Sequence, residues 1–314
     1  MGCSHAIYTV RNVAENFINN GSNVNLCALD LSKAFDKVNH SAVYIKLMKR
    51  HIPNELLTVL ENLFSSCWSC IKWKTETSHL FQIAFGVRQG SVLSPYMFAI
   101  QLDEIATHLN YRQRHFIFLY ADDILILAPT VCELQRLLTL CELELSWLDL
   151  SINVNKSCCM RIGPQFDAKC ANITISSGHA LPWVKEIRYL GIFITSSRYF
   201  KCALDHAKRK CYGAINSILG KIGDTASAVV ILEIISKKCW PILLYGLEAC
   251  LVTKSDLGFF DFIATRLLMK MFRTSNNSIV NDCANFLRFS WPSELLLTRT
   301  ANFLAKHKGF IESS

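Results

Sequence analysis

Residues 116–127 read Phe116-Ile117-Phe118-Leu119-Tyr120-Ala121-Asp122-Asp123-Ile124-Leu125-Ile126-Leu127, and the architecture follows from this stretch more than from any other. Two β-prone apolar runs separated only by Ala121, Asp122 and Asp123 predict a hairpin with two acids at its reversal. Aspartates between such strands are costly to bury without a counter-ion, and a bound cation removes that cost. Taken alone, the pair also fits an exposed hairpin tip with solvated carboxylates, and for a bare Asp-Asp that is the better reading.

Upstream, Leu26–Leu31 is a short, almost fully apolar run with Asp30 near its end, as expected of a buried strand carrying one acid at its tip. If this strand and the hairpin are neighbours in one sheet, Asp30, Asp122 and Asp123 converge. Carboxylates meeting from rigid elements are what phosphoryl transfer between nucleotides needs. Two divalent cations about 3.5–4 Å apart clamp the attacking and leaving oxygens of the in-line displacement. Magnesium keeps much of its water, so two or three Asp side chains plus substrate phosphates suffice.

Around these strands the pattern alternates. Helical spacing runs from His5 to Asn19, near Ser41–Lys49, over Pro53–Ser65, from Ser94 to about residue 110 and from Cys132 to Leu148. Trp68–Trp73 and His79–Phe85 predict a β-ribbon, and short strands are expected near Ser157–Ile162, Ala171–Ile175 and Arg188–Thr195. Beyond Ser197 the pattern is helical almost throughout, which places a domain boundary near residue 197. The net charge of +8 is uneven: residues 198–314 carry +7 of it. A basic helical part beside a neutral, acid-bearing one fits a surface that grips phosphates next to a site with another task, although charge alone equally fits solvated helix faces.

Composition excludes several classes. With 51% hydrophobic and 18% charged residues the chain is globular. No run reaches the roughly 18 apolar residues that span a bilayer, so no membrane is expected. Fourteen cysteines set within apolar runs, including the adjacent Cys158 and Cys159, point to reduced thiols and an intracellular protein, nuclear or cytoplasmic rather than secreted. Cys67 and Cys70 form one CxxC without a second pair at ligand spacing, so no structural zinc is expected.

Tyr120-Ala-Asp-Asp123 resembles the YADD box of reverse transcriptases, and it does not stand alone. Asp30-Leu-Ser-Lys-Ala-Phe-Asp36-Lys-Val is similar to motif A of the non-LTR (LINE-type) retrotransposon class, and Gly86-Val-Arg-Gln-Gly-Ser-Val-Leu-Ser-Pro95 to its motif B. Asn153-Val-Asn-Lys156 resembles motif D, and Tyr189-Leu-Gly191 with Ile192-Phe193-Ile194 resembles motif E, the primer grip. Trp240–Glu248 is similar to the thumb segment that follows. Five motifs occur in the family's order, and the likeness runs over roughly residues 1 to 300.

The resemblance implies an α+β, right-hand polymerase fold: a palm of antiparallel sheet with packed helices over residues 1–197, including a remnant of the fingers, and a helical basic thumb over 198–314. It implies an RNA-directed DNA polymerase that extends a DNA primer on an RNA template with dNTPs, using two Mg2+ or Mn2+ ions. Asp30 and Asp122 would ligate both metals, Asp123 would support them, the backbone carbonyl of Leu31 would complete one ion, and Lys156 would act as general acid or charge stabiliser toward pyrophosphate. Phe35 would be the steric gate against a ribose 2′-OH. Arg88, Gln89, Gly90 and Tyr120 would contact dNTP and template; Tyr189, Leu190 and Gly191 would form the primer grip. Lys201, Lys208, Arg209 and Lys210 would track the nucleic-acid backbone. About thirty residues precede Asp30, so most of the family's fingers are expected to be missing. An N-terminal endonuclease and a C-terminal Cys/His knuckle are likewise not expected. The alternative reading is therefore a truncated, catalytically silent remnant that at most binds nucleic acid.

Overall fold

The computed structural model of the protein describes residues 2–88, 90–109, 116–223 and 225–311. Its elements run, in chain order, α1 (Cys3–Asn19), β1 (Val24–Asp30), α2 (His40–Lys49), α3 (Asn54–Ser65), β2 (Trp68–Ser69), β3 (Lys72–Trp73), β4 (Glu76–Thr77), β5 (Phe81–Gln82), α4 (Ser94–Leu109), β6 (Phe116–Tyr120), β7 (Asp123–Ala128) and α5 (Val131–Trp147). There follow β8 (Cys158–Ile162), β9 (Ile173–Thr174), β10 (Ala180–Leu181), β11 (Glu186–Tyr189), β12 (Ile192–Thr195), β13 (Lys201–Cys202), α6 (Asp205–Ile222), α7 (Ala228–Leu243), α8 (Lys254–Phe272), α9 (Asn277–Phe286) and α10 (Pro292–Ile311). This is the α+β class expected, with antiparallel sheets.

Two compact units emerge, one of residues 21–184 and one of residues 1–20 with 185–314. The division therefore differs from a boundary at residue 197, and α1 belongs with the C-terminal elements. An amphipathic helix announces that it has an apolar face, not which element covers it.

The first unit is built on a four-stranded antiparallel sheet of order β6-β7-β1-β8. Register assigns its two faces, because directly opposed residues point the same way and alternate along each strand. Cys27, Leu29, Ile124, Ile126 and Cys159 share a face and join one core with Phe98 of α4 and Leu134, Leu138 and Cys141 of α5. The opposite face carries Leu26, Leu125, Leu127 and Met160, also buried, and ends at Asp30 and Asp123. A sheet apolar on both faces explains why β1 and β7 read as continuous hydrophobic runs. Asn25 is buried in β1, but its side-chain amide donates to the carbonyls of Ala128 and Pro129 and accepts from Arg161 Nε, so its burial is compensated. Helix α5 starts at a Thr130 N-cap whose hydroxyl accepts from the Glu133 amide at 3.1 Å.

In the second unit, β11, β12 and β13 form a small sheet beside the helices. Ser4 of α1 donates to Glu248 at 2.5 Å, Arg11 donates to the Ala249 carbonyl at 3.1 Å, and His5 and Tyr8 pack on Phe303 of α10. Arg188–Thr195, expected as one strand, is a hairpin. Tyr189 pairs with Ile192, and the two residues between them turn with φ 45 and 86. Positive φ at both positions suits the right-handed twist of the strands, but a leucine at the first hides the turn from sequence. Among the described residues, no helix is long and apolar enough to cross a membrane.

Candidate functional site

Asp30 ends β1 and Asp123 begins β7, and the two are directly opposed in the antiparallel ladder. The phase of that ladder follows from the backbone. The Asp30 N–H donates to Ser157 Oγ at 3.1 Å and its carbonyl accepts from the Asn153 N–H at 2.8 Å, both on the edge of β1 away from β7. Asp30 and Asp123 therefore form a non-hydrogen-bonded pair, the arrangement in which Cα atoms approach to about 4.5 Å and side chains lie closest. Both half-buried carboxylates stand on the face opposite the helices, and Tyr120, opposed to Asp123 across the β6–β7 hairpin, joins them there. Asp122 lies in the two-residue turn, preceded by Ala121 at φ 51. A left-handed alanine is a strained choice, held by the strands on either side.

The segment resembling motif D is fastened to the end of β1. Leu31 bridges Ile152, flanked by the Ser32 N–H to Ser151 carbonyl bond at 2.9 Å and the Asn153 N–H to Asp30 carbonyl bond. Leu31 is thus in a non-hydrogen-bonded pair with Ile152, and its own carbonyl points to the other edge, where β7 and the Ala121-Asp122 turn lie. Ser157, buried, donates its hydroxyl to the Asn153 carbonyl at 2.8 Å while accepting from Asp30. This turn carries Lys156, whose Nζ lies 3.5 Å from Asp30 Oδ2. Sequence reasoning passed over Ser157, a small polar residue whose role depends on a partner 127 positions away.

Motif A continues past Asp30 through Lys33 at φ 51 into a short 3-10 turn, Phe35–Lys37. The Phe35 ring packs on the fully buried Phe98 of α4, with centroids 4.9 Å apart, which fixes the ring near the end of β1. Motif B is stapled to the same loop. Gly86 N–H donates to the Val38 carbonyl and Val87 N–H to the Phe35 carbonyl, both at 2.8 Å, and His40 Nε2 lies 2.7 Å from the Gly86 carbonyl. Gly86 has φ 84, and a methyl there would sit 2.8 Å from the Asp36 carbonyl oxygen, so close approach of two backbones requires glycine. Arg88 is exposed, and its carbonyl accepts from Ser94 Oγ at 2.6 Å at the start of α4. Gly90 is exposed with φ 86 and open space where a Cβ would lie. Gln89 lies outside the described residues.

No group of three or more His, Cys, Asp or Glu side chains among the described residues is gathered to hold a metal. The fit to divalent cations rests on the narrow pair. Two like charges directly opposed are destabilising, and one of them has already drawn an ammonium, that of Lys156, to 3.5 Å. Since Mg2+ binds through one or two carboxylates with water and phosphate oxygens, this donor set suits it without a third protein ligand.

In the other unit, the residues resembling motif E form the β11–β12 hairpin: Tyr189 is buried, Leu190 half-buried, and Gly191 exposed in the turn. A methyl on Gly191 would lie 2.7 Å from Cε1 of Tyr245, a contact sequence reasoning did not anticipate. The basic residues are not alike. Lys201, Arg209 and Lys210 are exposed. Lys208 instead places its Nζ 3.7 Å from the centroid of Phe259 and 3.7 Å from Asp205, with its side chain 18% exposed. His206 is stacked on Phe193 at 3.8 Å and lies 2.7 Å from Glu186.

The curated proteins similar to this chain include a Pol polyprotein from the type-1 retrotransposable element R2 of Popillia japonica, 24% identical over 80% of this chain and 43% of that protein. They also include the type-2 element R2DM of Drosophila melanogaster, 28% identical over 55% of this chain and 18% of the relative. The RNA-directed DNA polymerase from the mobile element jockey of Drosophila funebris is 27% identical over 69% and 25%. The chain thus spans less than half the length of these relatives. Among solved structures, telomerase from Candida albicans superposes with a TM-score of 0.56 at 12% identity, covering 92% of this chain and 53% of that one, a likeness of fold. The profile of the family described as reverse transcriptase (RNA-dependent DNA polymerase) matches residues 4–194. That span is well over half of the 314 residues, and the chain accordingly belongs to the reverse transcriptase family.

Proposed function

We propose that this chain is the polymerase core of a non-LTR retrotransposon reverse transcriptase, extending a DNA primer on an RNA template with dNTPs. The observation that carries the reading is the narrow pairing of Asp30 with Asp123 beside the turn that holds Asp122. Asp30, Asp122 and Asp123, with the Leu31 carbonyl, would hold two divalent cations. When bound, the ions supply charge stabilisation to the attacking and leaving oxygens of an in-line displacement. The chain's own residues do the rest. Lys156, already beside Asp30, is within reach of a phosphate brought to the same carboxylates and can neutralise it or give up a proton to it. Phe35, braced by Phe98, offers a rigid ring that crowds a ribose 2′-OH and so selects dNTPs. Tyr120 shares the face of the two aspartates, and Arg88 and Gly90 open the segment expected beneath the templating pair, together with Gln89. Tyr189, Leu190 and Gly191 would position the primer end; Lys201, Arg209 and Lys210 would hold the duplex backbone, with Lys208 contributing mainly by its packing on Phe259.

The test is primer extension on a primed RNA template with Mg2+ or Mn2+, alongside Mn2+ binding by electron paramagnetic resonance. Incorporation of dNTPs that Asp122→Ala abolishes supports the proposal. Mn2+ binding at these carboxylates without incorporation on any primed template would assign the chain to the silent reading, and absence of both would reject the site.

A further inference from the structure

The ribbon between motifs A and B has no part in the chemistry above, yet it exposes several large apolar side chains. Its pairings are Trp68 with Gln82 and Ser69 with Phe81, then Lys72 with Thr77 and Trp73 with Glu76. Between them the Ile83 N–H donates to the Cys67 carbonyl and the Ser78 N–H to the Ile71 carbonyl, both at 2.9 Å. Residues 67–83 are thus one hairpin with an extra residue in its returning strand, reversing at Lys74 with φ 56. Alternation puts Ile71, Trp73 and Phe81 on one face and Trp68 with Lys72 on the other.

Among the described residues, neither face is covered. Trp73 is 75% exposed, Trp68 54%, Phe85 58% and Phe81 46%. A two-stranded ribbon is marginal in water by itself, so three exposed aromatics on one, with Phe85 just beyond its end, imply an occupant. Charge chooses among occupants: from Cys67 to Arg88 the chain carries Lys72, Lys74 and Arg88 against one acid, Glu76. Aromatic faces interleaved with cations are the composition that holds single-stranded nucleic acid, bases stacking on rings and phosphates meeting lysines. At the base of the ribbon a cavity of about 350 Å3 is lined by Cys67 and Ile83 together with Asp36 of motif A and Gly86 and Arg88 of motif B.

We propose that the β2–β5 ribbon binds the unpaired template strand as it approaches the site, through stacking on Trp73, Phe81 and Trp68 and phosphate contacts from Lys72 and Lys74. This deepens the polymerase reading and rests on it for the word template, while the binding itself is measurable without catalysis. The experiment uses the full chain and fluorescence anisotropy with a labelled U20 RNA, a dT20 DNA and a blunt duplex. Each exposed aromatic replaced by alanine should weaken single-strand binding about five- to 150-fold. Lys72→Glu with Lys74→Glu should flatten its dependence on salt by about 1.4 in slope. Mn2+ binding at the carboxylates should stay at the wild-type level in all of them, since these side chains are exposed. The proposal is overturned if Trp73→Ala with Phe81→Ala binds U20 as the wild type does, if U20 binds tenfold more weakly than dT20 or the duplex, or if sedimentation reveals a dimer that the same double variant dissociates. Loss of polymerisation in Asp122→Ala with U20 binding intact supports both readings. Intact U20 binding in a chain that never incorporates dNTPs removes the polymerase reading and leaves the ribbon a single-strand site.

Discussion

Lys156 Nζ lies 3.5 Å from Asp30 Oδ2, while Asp123 stands opposite Asp30 in the closest kind of strand pair. The structure thus sets two carboxylates face to face, with the Lys156 ammonium beside one of them. Asp123→Asn removes one of these two facing carboxylates. Mg2+ should raise the melting temperature of the wild type and lose most of that effect in the variant. Calorimetry with and without Mg2+ reads both, and a wild type that Mg2+ leaves unmoved contradicts the assignment.

Lys156→Ala separates binding from rate. The lysine side chain is 68% exposed and that of Asp30 28%, so the ion pair contributes little to stability and the variant should unfold within about 0.5 kcal/mol of the wild type. Mn2+ should bind at least as tightly once the competing ammonium is gone. Incorporation should fall about 100-fold if the ammonium serves the leaving pyrophosphate. Unchanged incorporation would make Lys156 a neutraliser of Asp30 and nothing more.

Ser157→Ala removes the acceptor for the Asp30 N–H and the donor to Asn153 in a buried position. Leaving buried groups unsatisfied costs about 1–3 kcal/mol. Urea unfolding should report that loss, with a matching fall in Mn2+ affinity because the hydroxyl ties β1 to the turn that carries Lys156.

Gly191→Ala should destabilise by about 1–3 kcal/mol, from a methyl 2.7 Å from the Tyr245 ring and from φ 86. Adding Tyr245→Ala relieves the collision but not the backbone strain, so the double variant should recover only part of the loss. Full recovery would show that conformation contributes nothing at this turn.

The buried thiols give a pH dependence. Burial pushes Cys158 up to about 11, and Cys141 and Cys211 up to about 12. A thiol whose folded value is raised favours the native state below its unfolded value near 9 and loses that contribution as pH rises toward the folded value. Stability should decline from about pH 9 to 12. At pH 8, alkylation followed by mass spectrometry should label the exposed Cys70 and Cys132 first and spare Cys141 and Cys211 until unfolding.

Much of this was legible in the chain. The hairpin of 116–128, the acid at the end of the first strand and the helices at 40–49, 54–65, 94–109 and 131–147 follow from local periodicity and turn chemistry, and each formed within a few residues of expectation. What failed to show did so for identifiable reasons. The Leu190-Gly191 turn was masked by a leucine in a left-handed conformation, and the ribbon expected over 68–85 formed but with an extra residue in its returning strand that no local pattern marks. Lys208 looked like its neighbours in sequence, and only Phe259, 51 positions later, distinguishes it.

Sequence by itself determined which strands are buried, which residues interrupt them and that three aspartates belong to their ends, because a hydrophobic period is a local property of the chain. Tertiary structure alone decided the hydrogen-bond phase that makes Asp30 and Asp123 a close pair, the tie from Ser157 to Asp30 and the membership of α1 among the C-terminal helices. A period of two states which side chains share a face. It is silent on which backbone groups meet, since that is settled by partners more than a hundred residues away.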